Sequence, residues 1–296
     1  MQPSAVLETL LLDKWRGPFT SEVMAHAVAA LEQGKVLYLP QLPVRIEEDE
    51  DDLLDPVTAG AARKNISYDP ASGHLANATV DAVGAVRLKG MMDRFGRCAA
   101  RFLEDLIPAY ASALEKGRTS FRPLEIAGRT SSPRHDDKRL HVDAFPSRPL
   151  RGKRILRLFS NVARDGAARQ WRVGEPFGAF ARQFMPRVGA PPSPWRALLL
   201  DVLGITKGRR SAYDHYMLNL HDGAKLDADY QAGAPRAEIA FPAGATWLCY
   251  TDQVLHAALS GHGALEQTFY LPVAAMAEPG TSPLRVLEGI KGRALV

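Results

Sequence analysis

From residue 121 onward the chain is written in short apolar runs with Pro and Gly between them, and this punctuation limits the fold more than any other feature. The runs cover residues 121–127, 139–143, 154–162, 170–173, 238–241, 245–250, 254–258 and 266–271. Each is brief for a helix and of ordinary length for a strand. Many short strands bounded by turn residues predict an antiparallel sandwich or barrel. Helical spacing interrupts them at 176–185, at 194–203 and from Ser211, which can cap a run through 225. Before residue 119 the balance reverses. Residues 20–33 read as a helix ended by Gly34, and residues 35–39 as a strand closed by Pro40. Met91, Phe95, Cys98, Phe102, Leu106, Tyr110 and Leu114 make one apolar stripe of a long helix expected to end at Gly117. Residues 55–90, rich in small and polar side chains, predict irregular structure. The organisation expected is an α-rich part over 1–118, a β core over 119–275 with a helical insert at about 176–230, and a tail over 276–296.

At 296 residues and 46% hydrophobic the chain can bury a sizeable core. Cys98 and Cys249 lack the paired spacing of a zinc site or a disulfide framework, so a reducing compartment fits, and Cys98 is expected to be a small buried hydrophobe. The first residues have no basic start, and no apolar run reaches the roughly 18 residues of a membrane span, so a cytoplasmic chain is expected. The acidic run from Glu47 to Asp52 predicts a solvated loop. Net charge is only +4, but residues 129–172 hold twelve Lys and Arg against four Asp and Glu. That clustering predicts an anionic ligand or an anionic surface. Nucleic acid fits least, because no aromatic residues interleave with the basic ones.

His-x-Asp occurs twice. His135-Asp136-Asp137 sits among Arg134, Lys138 and Arg139 after Pro133, and reads as a solvated loop. His141-Val142-Asp143 lies between Leu140 and Ala144-Phe145-Pro146 on a strand, where residues two apart share a face and can converge on one ion. The candidate third ligand is His256, among small apolar residues after the turn at 251–253. Two histidines and a carboxylate leave metal positions open for a cosubstrate and O₂, the arrangement of non-haem Fe(II) oxygenases. The commonest cosubstrate, 2-oxoglutarate, needs a cation for its far carboxylate, and arginine suits it best. No Lys or Arg follows His256 until Arg285, so the candidates are Arg154 and Arg157. Strand alternation puts them on opposite faces, and Arg157, between Leu156 and Leu158, is favoured. Gln267 and Thr268 are neutral hydrogen-bonding candidates across the barrel. Arg129, Arg148, Arg151, Lys153 and Arg172, together with Arg169, are candidates to line the mouth and meet an acidic substrate, with solvated surface as the plainer expectation for each. Tyr213-Asp214-His215 and His221-Asp222 fall on a predicted helix, where capping or surface roles rank ahead of sugar contacts. Trp171 and Trp247 read as core.

The stretches LHVDAFPSRPLRGKRILRLFSNV, RQWRVGEPF, YDHYMLNLHDGAKLDADYQ and FPAGATWLCYTDQVLHAALSGHGALEQTFYLP resemble the 3-deoxy-D-manno-oct-2-ulosonic acid (Kdo) hydroxylase family. The likeness is close over residues 124–272 and looser before them. It implies a mainly β protein with flanking helices, built on a double-stranded β-helix (jelly-roll, cupin-like) core. It also implies a dioxygenase using Fe(II), 2-oxoglutarate and O₂ to hydroxylate C3 of the outer Kdo of the lipopolysaccharide inner core, Kdo-lipid A, giving Ko. By the same resemblance the iron ligands fall on His141, Asp143 and His256, and the cosubstrate arginine on the strand of Arg154 and Arg157, without deciding between them. An anionic, lipid-anchored acceptor made at the cytoplasmic face of the inner membrane accounts for the basic stretch as peripheral docking. Two other expectations stand beside this one: the same iron chemistry on another anionic sugar or small molecule, and a non-catalytic barrel that binds acidic saccharides.

Overall fold

The computed structural model describes residues 1–60, 65–146, 148–192, 204 and 210–296. The helix expected at 194–203 lies outside them. Residues before 115 supply β1 (Leu7–Thr9), β2 (Val36–Leu39), β3 (Ile66–Asp69) and β4 (His74–Ala76). The rest of the chain supplies β5 (Glu115–Arg122), β6 (Arg154–Asn161), β7 (Arg169–Gly174) and β8 (Arg236–Phe241). It ends with β9 (Thr246–Tyr250), β10 (His256–Ser260) and β11 (Ala264–Leu271).

These strands form an eight-stranded sheet in the order β1-β2-β9-β6-β11-β5-β3-β4 and a three-stranded sheet in the order β10-β7-β8. An isolated antiparallel bridge between His141 and His256 adds the 141 segment beside β10. Followed along the chain, β5 lies in the large sheet, residue 141 in the small one, β6 in the large, β7 and β8 in the small, β9 in the large, β10 in the small and β11 in the large. This winding is the expected double-stranded β-helix, with β1 to β4 added at both edges of its large sheet. One end of the space between the sheets is filled by aromatics: Trp247 stacks on Phe241 at 4.1 Å and on Phe159 at 5.4 Å, and Trp171 meets all three. Beside this packing the space turns polar, and the site lies there, with Phe159 and Trp171 on its wall.

Helix α1 (Ser21–Glu32) begins as the sequence predicts, with Thr20 accepting from the Val23 amide. Helix α2 (Ala82–Leu106) starts earlier and stops sooner than its apolar stripe suggests. Asp81 caps its first turn by accepting from Gly84 N at 2.7 Å, and Pro108 ends it, since proline cannot continue the ladder. Tyr110 therefore falls in a 3₁₀ turn, and Gly117 lies inside β5. The helix rests on the outer face of β5 and β11. A Cβ on Gly96 would come within 2.6 Å of Gln267 Oε1 and 2.9 Å of Thr119 Oγ1, so glycine permits the approach.

Two further expectations are corrected. Residues 55–90 are not wholly irregular: those described include the β3–β4 hairpin, whose strands are too short to show a period in sequence, and the start of α2. The acidic run is only partly solvated: Glu48, Asp49 and Asp52 are exposed, but Glu50 is buried. It forms a 3₁₀ segment, Glu48–Leu54, in which Glu50 is buried against Arg94 at 2.6 Å, while Asp52 meets Arg87 and Asp51 meets Arg164. Cys98 is half-buried, Cys249 fully so.

Helices α3 (Phe177–Phe184), α4 (Ala212–Leu226) and α5 (Ala228–Gly233) form the insert. Ser211 and Asp214 make a capping box at the start of α4, which gives Asp214 its role. The last helix, α6 (Pro283–Lys291), buries Leu284 and Leu287. Among the described residues no helix is long and apolar enough to cross a membrane.

Candidate metal centre and its cavities

His141 and His256 stand opposite one another and exchange both backbone hydrogen bonds, His256 N to His141 O at 2.9 Å and His141 N to His256 O at 3.1 Å. Directly opposed residues of an antiparallel pair project to the same face, so the two imidazoles lie side by side with centroids 4.6 Å apart. Two residues on, Asp143 returns to that face, held by its amide donating to Thr251 O at 2.8 Å. One ligand atom from each of the three lies within 4.8 Å of the others.

The tautomers are set as a metal would need them. Nδ1–H of His141 donates to Arg139 O at 2.8 Å, and Nδ1–H of His256 donates to Val254 O at 2.8 Å. Both Nε2 lone pairs therefore remain available. Trp171 stacks on His256 with centroids 5.3 Å apart, and His221 of α4 meets His141 edge-on at 5.3 Å.

Burial holds the His141 imidazole well below its ordinary value of 6.5, with His256 and Lys225 adding to the depression, and burial lowers His256 too. Burial would raise the Asp143 carboxyl, but Arg157 and then the two histidines outweigh it and keep it below the usual carboxylate range. The site at neutral pH is thus two neutral imidazoles and a carboxylate. Unfolded histidines take up protons as the pH falls below about 6.5 while the buried ones do not, so the pair contributes its stability above that value and loses it toward the depressed folded values. The metal-free protein is expected to melt lower at about pH 5 than at about pH 7 by a margin that shrinks in His141→Ala/His256→Ala. An identical margin in that double variant would refute the assignment.

A cavity of about 90 Å³ adjoins the triad. Arg122, Arg129, Arg157, Arg169 and Asp137 line it, with Trp171 and Phe159. Seven buried side-chain atoms among the described residues lack a hydrogen bond, and four belong to this lining: Asp143 Oδ2, Arg157 Nε, Arg169 Nε and Trp171 Nε1. Asp143 Oδ2 is 3.3 Å from Arg157 Nη1, near enough to pair electrostatically but without hydrogen-bond geometry. Buried polar atoms are rarely left this way, and their concentration here fits a wall shaped for a metal and an anion. Burial and the nearby Arg122 push Arg169 down to about 9, so it remains charged at neutral pH.

Of the two candidate arginines, Arg157 is the one that faces this cavity. Arg154 projects from the opposite face of β6 and is fully buried, with Nε donating to Asp252 at 2.7 Å and Nη2 to Gln253 at 2.6 Å. Gln267 is likewise on the outer face, bonded to Thr119 beneath α2, while Thr268 faces inward onto a second cavity. Arg129 lines the first cavity and Arg148 the second. Lys153 instead pairs with Glu115 at 2.6 Å, and Arg172, on the outer face of β7, pairs with Glu238 at 3.0 Å. Arg151 lines neither cavity and takes a positive φ of 51° in the turn before β6.

The sequence reading passed over Arg122 and Glu266, placed Asp137 in a solvated loop, read Trp171 as core, and ranked surface roles first for His221 and Arg169. The alternation Arg169-x-Trp171-x-Val173 carried the signal, because strand period puts Arg169 on the same face as a large aromatic.

Two imidazoles and a carboxylate inside a double-stranded β-helix, beside buried guanidiniums whose Nε atoms lack hydrogen bonds, define a class, the 2-oxoglutarate-dependent dioxygenases. The particular family follows from the comparisons. The chain matches the 3-deoxy-D-manno-oct-2-ulosonic acid (Kdo) hydroxylase family over residues 14–294, and it belongs to that family. It is similar to a crystal structure of the Kdo hydroxylase KdoO, a non-haem Fe(II) alpha-ketoglutarate-dependent dioxygenase, in complex with alpha-ketoglutarate and Fe(III). The identity is 45% and the TM-score 0.94, over 98% of this chain and 97% of that one. A cobalt(II) complex of KdoO is 46% identical with a TM-score of 0.95, over 100% and 98% of the two chains. Apo KdoO is 46% identical with a TM-score of 0.94, over 98% and 97%. Comparison with curated protein sequences finds no match.

Proposed function

We propose that this chain hydroxylates C3 of the outer Kdo sugar of Kdo-lipid A, using Fe(II), 2-oxoglutarate and O₂. The observation that carries the reading is the triad His141, Asp143 and His256, with both Nδ1 atoms tied to carbonyls and buried guanidinium Nε atoms without hydrogen bonds next to it. In this proposal those three side chains hold the iron, and Arg157, Arg169 and Trp171 receive the carboxylates of 2-oxoglutarate. When bound, the iron would let O₂ act as the oxidant: 2-oxoglutarate would supply two electrons, one oxygen atom would replace a C–H bond by C–OH, and the other would end in succinate as CO₂ leaves. The protein's part is positional. The His141–His256 backbone pair fixes the ligand face, and Arg157 keeps Asp143 ionised. Phe159 and Trp171 keep water from one side of the cavity.

The test is incubation of purified protein with Fe(II), 2-oxoglutarate and a Kdo-lipid A acceptor. Mass gain of one oxygen on Kdo with matching succinate supports the reading. Turnover on a different acidic sugar alone would replace the substrate, and Kdo binding without any succinate would leave a saccharide-binding barrel.

Arg169→Ala is expected to weaken 2-oxoglutarate binding about tenfold to a hundredfold while iron affinity is retained. Anaerobic titration followed by the absorbance of the iron–cosubstrate complex measures both, and unchanged 2-oxoglutarate affinity would remove Arg169 from the clamp.

Arg129 and Arg148 remain candidates for the acceptor. Residues 1–118 act, in this proposal, as a buttress of the 119–275 core, because they supply both edges of its large sheet. Location at the inner face of the inner membrane belongs to the same reading and rests on the excess of basic residues at 129–172. Co-sedimentation with anionic vesicles no greater than with neutral ones would remove it.

A further inference from the structure

The inner face of the large sheet changes character partway across. Phe159 and Trp247 belong to the aromatic packing between the sheets. Toward the opposite edge, the inward positions are Ser67 on β3, Ser120 on β5 and Thr268 on β11, while their neighbours Ile66, Phe121 and Phe269 turn outward into the core beneath α2. A jelly-roll core is ordinarily apolar on this face, and among the described residues these hydroxyls make only long contacts, Ser120 accepting from Asn65 Nδ2 and Thr268 donating to Glu266 Oε1, each at 3.4 Å, which leaves bonding capacity for a ligand. The row floors a recess of about 290 Å³, and Arg122 and Arg157 border both this recess and the metal cavity.

The cations of the recess are unequally balanced. Glu266 takes Arg122 at 2.7 Å and lies 3.3 Å from Arg157, so the shared wall carries its own counter-charge. At the outer rim Arg118 is 3.7 Å from Asp69 and half-exposed. Among the described residues Arg148 meets the Tyr270 hydroxyl, at 3.4 Å, and no carboxylate lies within ion-pair distance of it. Phe145 and Tyr270 add two ring faces.

We infer that this recess is the acceptor subsite. It takes an acidic polyhydroxylated sugar whose carboxylate meets Arg148 and Arg118, whose hydroxyls lie along Ser67, Ser120 and Thr268, and whose reacting carbon turns toward Arg157. The binding claim stands on the recess itself; only the direction of the reacting carbon rests on the hydroxylase reading above. A planar guanidinium without a carboxylate partner pairs bidentately with a carboxylate, and short hydroxyls on three neighbouring strands make a row that matches a polyol. In the same reading the cosubstrate has its own guanidinium at Arg169, which donates to Gly261 O at 3.3 Å and keeps Nε without a hydrogen bond, so the two anions have separate cation sets.

The test titrates Kdo monosaccharide and its methyl ester by calorimetry into protein loaded with Co(II) and 2-oxoglutarate. Wild type is expected to prefer the acid. Arg148→Gln is expected to weaken acid binding about tenfold or more and leave ester binding unchanged, and Arg118→Gln to act in the same direction. In turnover with Fe(II), Arg148→Gln raises KM for the acceptor and leaves the affinity for 2-oxoglutarate as it was. No binding by wild type, equal binding of acid and ester, or wild-type affinity in both variants would overturn the assignment. Binding of this pattern without succinate or hydroxylated product would keep the subsite and reject the hydroxylase.

Discussion

Replacing His256 by alanine is expected to abolish succinate release and to reduce Fe(II) affinity by at least about a hundredfold. That is the upper end of what the loss of a merely supporting partner costs a metal site, and a ligand itself counts for more. The fold should survive, because the contact that joins the 141 segment to β10 runs through the backbone of residue 256. Anaerobic iron titration, succinate measured by mass spectrometry and a far-ultraviolet dichroism spectrum decide it together. One tightly bound iron per chain in His256→Ala, with wild-type succinate yield, would mean that the two histidines pack the core and the metal lies elsewhere. His141→Ala and Asp143→Ala are expected to behave alike.

The second large effect is on stability, and it comes from the arginine that is not in the cavity. Arg154 is 0% exposed and Asp252 1%, and the pair is joined at 2.7 Å. Asp252 also accepts from the Ile155 amide at 3.2 Å, and the Arg154 guanidinium lies 3.8 Å over the Tyr250 ring. Removing one partner of a buried pair leaves an uncompensated charge and costs about 3–5 kcal/mol, so Asp252→Ala is expected to lower the melting temperature by about 10 °C. Replacing both residues, Arg154→Met with Asp252→Leu, is expected to recover most of that loss, because two apolar side chains need no counter-charge. Urea melts of the two single variants and the double give the coupling directly. Equal stability of Asp252→Ala and wild type would show that the pair is not a structural clasp. The clasp bears on the metal centre as well, since Asp252 sits in the turn that offers Thr251 O to Asp143 and leads into His256.

Much of this was readable before any coordinates. The short strands, the helix at α1, the capped helix at α4 and the polar pair His141 and Asp143 all rest on local spacing, which sequence carries directly. The misreadings share a cause. The stripe from Met91 to Leu114 keeps its period past the point where Pro108 breaks the helix, so periodicity alone placed the end too late. The acidic run is ordered by Arg87, Arg94 and Arg164, three partners from distant parts of the chain that no local rule could supply. Arg172 and Lys153 read as candidate substrate contacts because they lie in a basic stretch, yet Glu238 on the neighbouring strand neutralises the first and Glu115, on the far side of β11, the second.

By itself the sequence determined that His141 and Asp143 share a face, that Arg154 and Arg157 cannot, and that strands with Pro and Gly between them must pair into sheets. All three follow from the two-residue period of a strand. Only the tertiary structure decided which face of β6 looks at the metal site, that His256 lies opposite His141, and that Arg169 and Trp171 complete the cavity wall. Those are matters of register between segments far apart in the chain, and a shift of one residue in any of them would exchange the inner face for the outer one.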